Sequence, residues 1–246
     1  MSLIKTILTS LFHILLTFPS MIRHGPRKIY DKICYYINST FLNISNIIPP
    51  INNQHVIILV HGRGGSPVDL NPLKIHFENK NPYTYSVDLG NTRYTSIEED
   101  ANELYKQLEN LTNCQITLIG NSKGGSVVAT YLSLYNDTTT NQINKVITIT
   151  APLKGTRLAS LTTGISKTDL LYGAEHLLKL EESLKPYSDK IYHIVSHYDD
   201  LIIPKEAAYF NHTPSENIYF YRGLYNHGCL MSDPRIVNAV DHFVNG

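Results

Sequence analysis

Hydrophobic and polar positions change their pattern near residue 54. Upstream lie two long stretches, and downstream short apolar runs alternate with amphipathic ones. Residues 3–22 are mostly apolar, with Lys5 and His13 as interruptions and Pro19 near the end. Residues 27–48 place Ile29, Ile33, Tyr36, Ile37 and Phe41 at helical spacing, and Pro49-Pro50 terminates them. From His55 to Val60 the chain is a short continuous apolar run, the signature of a strand covered on both faces of a parallel sheet. Further strands are predicted over 83–87, 116–119, 146–150, 191–195 and 218–221. Helices are predicted over 69–79, 96–111, 123–135 and 168–184. Ser232 is the expected cap of a last helix carrying Ile236, Val237, Val240, Phe243 and Val244. Ser96 and Glu99 have the spacing of a capping box. Strands alternating with helices predict an α/β fold with a mainly parallel sheet of about six strands. The chain divides into an N-terminal helical appendage, residues 1–48, and a principal domain, residues 54–246.

The apolar segment 3–22 has three readings. It is short and interrupted for a spanning helix. It has a basic start and an apolar stretch like a signal peptide, without a convincing small-x-small cleavage site. It is also compatible with a helix packed on a domain surface. Membrane-surface attachment through residues 3–22 is the leading expectation, and it leaves localisation open between membrane association and a secretory route. Composition excludes more than it assigns. Lysine plus arginine equal aspartate plus glutamate, 21 each, so no charge argument favours a nucleic-acid partner. The three cysteines, Cys34, Cys114 and Cys229, are widely spaced and fit neither a disulfide framework nor a metal site. Oligomeric state is not legible.

Chemistry concentrates at Ile116-Thr117-Leu118-Ile119-Gly120-Asn121-Ser122-Lys123-Gly124-Gly125. An apolar run ends at a glycine, a serine follows two residues later, and two more glycines open a helical segment. This is the strand–turn–helix setting of a G-x-S-x-G nucleophile elbow. A serine hydroxyl is a poor nucleophile until a base takes its proton and a carboxylate orients that base. In a parallel α/β sheet functional groups gather at the carboxyl ends of strands. Two post-strand loops downstream of Ser122 supply the missing types. One is Ser196-His197-Tyr198-Asp199-Asp200-Leu201-Ile202-Ile203-Pro204, and the other contains Asn226-His227-Gly228.

In that order of serine, acid and histidine, residues 54–246 resemble the α/β-hydrolase superfamily, and within it small lipases and esterases. The glycine loop His61-Gly62-Arg63-Gly64-Gly65, the elbow, the Asp200–Pro204 run, His227 before the last helix and the segment Ala151–Thr156 all carry the resemblance. It implies a serine hydrolase acting on carboxylic esters, with Ser122 as nucleophile, His227 as base and then acid, and Asp200 orienting the histidine. Asp199 is the competing acid. The family's spacing, with the acid four residues before the proline, favours Asp200. The resemblance also implies an oxyanion hole from the backbone N–H groups of Arg63 and Lys123, whose side chains are then free to vary. His61 is expected to brace its loop rather than do chemistry.

Asn121 and Arg63 depart from the common pattern, in ways that bear on substrate preference. The loop lacks the G-x-x-x-x-G-K-[ST] of a phosphate-binding P-loop. A short or absent lid is expected, because a helix over 168–184 leaves few residues after the strand at 146–150 to cover the site. No metal or organic cofactor is implied. The alternatives are a thioesterase or amidase using the same triad, or a non-catalytic binding protein that retains the fold.

Overall fold

β1 (His55–Val60) is buried from Val56 to Val60, and it lies between two neighbouring strands of the sheet. This computed structural model describes Ile47 and residues 53–136, 142–162 and 164–246. The readings of residues 3–22 and 27–48 therefore fall outside the described residues, apart from Ile47. Among the described residues no helix is long and apolar enough to cross a membrane.

Five further strands follow: β2 (Thr84–Val87), β3 (Gln115–Asn121), β4 (Gln142–Ile149), β5 (Ile191–Ser196) and β6 (Ile218–Tyr221). The helices are α1 (Asn71–Glu78), α2 (Ile97–Leu108), α3 (Lys123–Tyr135), α4 (Ser166–Asp169), α5 (Glu175–Ser183) and α6 (Pro234–Asn245), with short 3-10 turns between some of them. The sheet order is β2-β1-β3-β4-β5-β6, and every pairing is parallel. The expectation of about six strands in a mainly parallel sheet is met by six among the described residues, all parallel.

Alternation along β1 explains the two layers. Val56, Ile58 and Val60 face a core built with α2, α3 and α5, while Ile57 and Leu59 face one built with α1 and α6. A strand covered on both sides has no polar face to present, so its sequence reads as a continuous run. Each fully buried Val, Leu or Ile contributes roughly 1.5–3 kcal/mol. α2 starts at the predicted capping box: Ser96 accepts from the Glu99 N–H at 3.1 Å and Glu99 accepts from the Ser96 N–H at 2.6 Å. Glu98, Glu99 and Asp100 fill its first turn, where the helix dipole favours negative charge.

Two elements differ from expectation. The helix expected over 168–184 is broken into α4 and α5, because the chain between them turns back to bond the loop after β4. Thr156 N–H donates to Leu170 O at 2.8 Å, and Gly173 N–H to Lys154 O at 2.9 Å. Gly173 then turns the chain at φ +76. These loop bonds outweigh the helical periodicity of the segment. The last helix is capped by Asp233, not Ser232. The Asp233 carboxylate accepts from the Arg235 N–H at 2.9 Å, Pro234 occupies the first helical position, and residues His227–Ser232 form a 3-10 turn instead.

The strand order places the site. β2 and β3 lie on opposite sides of β1, so the chain leaves β1 in one direction and β3 in the other. The crevice between their carboxyl ends is where such sheets hold ligands. Ser122 follows β3 there, and the glycine loop follows β1.

Candidate active site

Ser122 occupies the turn between β3 and α3 with φ 55 and ψ −127, a conformation rare for a residue with a side chain. Its N–H donates to Ile149 O on the neighbouring strand at 2.9 Å, and its carbonyl accepts from Gly125 N–H at 2.9 Å, so the turn is held from both ends. The glycines around it answer to space. A Cβ on Gly120 would lie 2.2 Å from Gly124 O, and one on Gly124 would lie 2.4 Å from Val60 O. α3 therefore starts in direct backbone contact with β1 and β3, and the serine stands at the rim of the sheet.

His227 meets Ser122 from the loop after β6, with Nε2 2.8 Å from Ser122 Oγ. Its Nδ1 lies 2.8 Å from Asp199 Oδ2 and 3.0 Å from Oδ1. A carboxylate accepts only, so Nδ1 carries the proton and donates to Asp199. Nε2 is left with its lone pair toward the serine hydroxyl. The side chains of His227 and Asp199 are 6% and 3% exposed, so the contact is shielded from water.

The carboxylate against the imidazole is that of Asp199, not the expected Asp200. Asp200 points its carboxylate at the backbone of His227, accepting the N–H at 2.7 Å, and does not orient the imidazole. The cause is the turn after β5. Asp199 Oδ1 accepts the N–H groups of Leu201 and Ile202 at 2.8 and 2.9 Å, an Asx-type turn that fixes its side chain inward. Both neighbours serve the histidine, one through the ring and one through the main chain.

Tyr221, at the end of β6, is joined to Asp233 and Arg235, which flank the start of α6. Tyr221 OH donates to Asp233 Oδ2 at 2.5 Å, and Arg235 Nη2 reaches the same oxygen at 2.6 Å. The Arg235 hydrogen bonds hold the Asp233 carboxyl far below the usual carboxylate range, and burial beside Asp233 pushes the Tyr221 phenol up to about 12. This ties β6 to the start of α6, with the His227 loop between them.

The glycine loop approaches the serine closely: a Cβ on Gly62 would fall 2.9 Å from Ser122 Cβ. His61 is buried, its Nδ1 3.0 Å from Gly62 O and its Nε2 accepting the Leu89 N–H at 3.1 Å, so it braces the loop against the segment after β2. Lys123 is the first residue of α3, where a backbone N–H has no intrahelical acceptor. No acceptor engages the Arg63 N–H among the described residues.

The Lys123 side chain corrects a second expectation, since it is not free to vary. Only 1% of it is exposed. Its ammonium lies 2.7 Å from Asp100 Oδ2 and donates to the carbonyls of Thr92 at 2.9 Å and Thr95 at 2.5 Å. Thr92 in turn bridges to the glycine loop, donating from Oγ1 to Gly62 O at 3.0 Å and accepting the Gly64 N–H at 2.8 Å. Asp100 and Thr92 lie far from Ser122 in the chain and carry no local motif. Beyond the lysine itself, nothing local in the sequence marks them. No cluster of metal-ligating side chains occurs among the described residues.

No protein-family model matches the sequence, and no curated protein matches it. Solved structures do match the fold. A gene product from Listeria innocua is similar over 78% of this chain and 94% of its own, with TM-score 0.57 and 13% identity. A lipase-esterase related protein from Clostridium acetobutylicum is similar over 80% of this chain and 97% of its own, with TM-score 0.53 and 15% identity. Phospholipase PlaB from Legionella pneumophila is similar over 59% of this chain but 38% of its own length, with TM-score 0.50 and 17% identity. The sheet order, the elbow after β3 and these likenesses agree that this chain has the α/β-hydrolase fold.

Proposed function

We propose that the protein is a serine hydrolase of carboxylic esters, acting through an acyl-enzyme on Ser122. The observation that carries this reading is the contact of His227 Nε2 with Ser122 Oγ at 2.8 Å while Nδ1 is held by Asp199. In this reading the Ser122 hydroxyl gives its proton to His227 Nε2 as the oxygen attacks the acyl carbon. The imidazolium that forms is stabilised by the Asp199 carboxylate. The tetrahedral oxyanion is received by the backbone N–H groups of Arg63 and Lys123, aided by the positive end of α3. Collapse expels the alcohol, which takes the proton from Nε2. Water then enters by the same route in reverse, with His227 as base, and releases the acid and free Ser122.

Preorganisation supports the assignment. Ser122, the Gly62–Gly64 loop and Lys123 are tied to one another through Thr92 and the buried Lys123–Asp100 pair, so the donors need not move as charge develops. The test is active-site labelling with a fluorophosphonate, alongside turnover of short 4-nitrophenyl esters. Labelling and turnover should both vanish in Ser122→Ala. An intact, folded protein that neither labels nor turns over any ester would overturn the reading in favour of a binding protein with the same fold.

A further inference from the structure

Arg63 has a buried Nε with no hydrogen-bond partner, and it makes no ion pair with any carboxylate among the described residues. It follows directly on Gly62, which packs against Ser122, so its side chain leaves the backbone beside the reacting hydroxyl. A second guanidinium is brought to the same loop. Arg93 lies across Gly64, where a Cβ would fall 2.1 Å from Arg93 Nε. The segment bearing Arg93 is anchored on one side by Lys123 to the carbonyls of Thr92 and Thr95, and on the other by Thr92 Oγ1 to Gly62 and Gly64. Burial and the neighbouring Arg93 charge both push Arg63 down from the ordinary arginine value. Two like charges are therefore held against the same turn of the site.

Carboxylates of the neighbouring segments have partners of their own, Asp69 accepting the Ser66 N–H at 2.9 Å and Asp88 the Gly90 N–H at 2.8 Å. Asp100 is paired with Lys123 at 2.7 Å, Asp169 accepts the Ile97 N–H at 2.8 Å, and Asp199 and Asp200 both serve His227. A desolvated guanidinium nitrogen without an acceptor is costly unless something supplies one. A planar fork of donors matches the oxygens of a phosphate or carboxylate.

We propose that Arg63 and Arg93 form an anion subsite beside the glycine loop, and that the ester turned over at Ser122 carries an anionic oxygen group received there. The proposal rests on the serine-hydrolase reading above and names its substrate class. The subsite draws anionic esters into the crevice and fixes the acyl carbon over Ser122, so its effect falls mainly on KM.

The test compares matched ester pairs in the full chain. One pair is a 4-nitrophenyl glutarate monoester against its neutral methyl diester, and the other a short-chain acylglycerol phosphate against the corresponding monoacylglycerol. The expected result is a kcat/KM ratio favouring the anionic member, which falls roughly tenfold to a hundredfold in Arg63→Gln, the size of a charge-assisted hydrogen bond. Arg63→Lys should retain part of it, Arg93→Gln should lose less, and added salt should lower the ratio. A response in one pair alone identifies the anion as carboxylate or phosphate. Ratios that do not change in Arg63→Gln would overturn the proposal. Binding of the acylglycerol phosphate to Ser122→Ala, measured by calorimetry with and without Arg63→Gln, is a readout independent of turnover. Equal binding would overturn the subsite, whereas loss of fluorophosphonate labelling speaks against the hydrolase reading alone.

Discussion

The carboxylate of Asp199 contacts the imidazole of His227 with both oxygens, Oδ2 at 2.8 Å and Oδ1 at 3.0 Å from Nδ1. Asp200, one residue on, bonds the same histidine only through its backbone N–H. The two substitutions should therefore behave differently. Asp199→Asn presents an amide to Nδ1 and favours the wrong tautomer, so kcat on a 4-nitrophenyl ester should fall by roughly three to four orders of magnitude. Asp200→Asn keeps an oxygen that can accept the N–H, and the loss should stay under about tenfold. A larger loss from Asp200→Asn than from Asp199→Asn would reverse the assignment.

Lys123 and Asp100 form a pair in which each side chain is at most 2% exposed. Removing one partner from such a pair leaves a buried charge uncompensated, which costs about 3–5 kcal/mol. Asp100→Asn and Lys123→Met should each lower the unfolding free energy measured in urea by an amount of that order. Together they should cost clearly less than the sum, which a double-mutant cycle reads as coupling. Lys123→Met also deprives the Thr92 and Thr95 carbonyls of their donor, so ester turnover should fall even where the protein stays folded. Additive stability losses would mean that the pair is not coupled.

How far the sequence could reveal these features depends on the range of the interaction. The continuous run His55–Val60, the Ser96–Glu99 box and the glycines of the elbow are local, and the strands appear where periodicity places them, as do the helices apart from the broken segment 168–184 and the cap of the last one. Ser122 and His227 are legible because each follows a strand in a parallel sheet, a topological rule rather than a contact. The choice between Asp199 and Asp200 is not, because it turns on which side chain a tight turn directs inward. Spacing to Pro204 does not record that Oδ1 of Asp199 holds the Leu201 and Ile202 N–H groups. The break between α4 and α5 and the pairing of Lys123 with Asp100 are tertiary. Their partners are remote in the chain, and local pattern predicts the opposite, a continuous helix and a dispensable side chain.

Gly124 offers a packing test of the elbow. An added Cβ would lie 2.4 Å from Val60 O and 2.5 Å from His61 O, both backbone atoms with no side-chain freedom to yield. Gly124→Ala should push α3 away from β1, at a cost of roughly 1–3 kcal/mol, the usual range for overpacking. Ser122 and Lys123 would move with it, so fluorophosphonate labelling should slow more than the change in thermal midpoint implies. Gly90 is the control. Nothing lies within 4 Å of a Cβ there, although its φ of +69 adds backbone strain, so Gly90→Asn should be tolerated with little change in labelling. Equal labelling rates in Gly124→Ala and the parent would show that α3 accommodates the methyl without shifting Ser122.

His193 sets a pH limit on the fold away from the Ser122 crevice. Its imidazole is completely buried on β5, with Nδ1 2.7 Å from Thr148 Oγ1 and Nε2 3.0 Å from Thr213 Oγ1. Nε2 also accepts the Phe210 N–H at 3.3 Å, which requires the neutral ring. Burial, reinforced by the His212 and Lys154 charges, lowers its pKa from 6.5 to about 3. The folded state thus holds this ring neutral where the unfolded chain would protonate it. Between those values the unfolded state binds more protons, so stability increases with pH. The contribution is complete above pH 6.5 and is lost as pH falls toward 3. At most one proton is involved, which corresponds to a slope of about 1.4 kcal/mol per pH unit. His193→Gln keeps hydrogen-bonding capacity without the titration. Its unfolding free energy in urea should be lower at neutral pH but should change less between pH 6 and 4 than that of the parent. Parallel pH profiles for the two proteins would show that some other group carries the acid sensitivity.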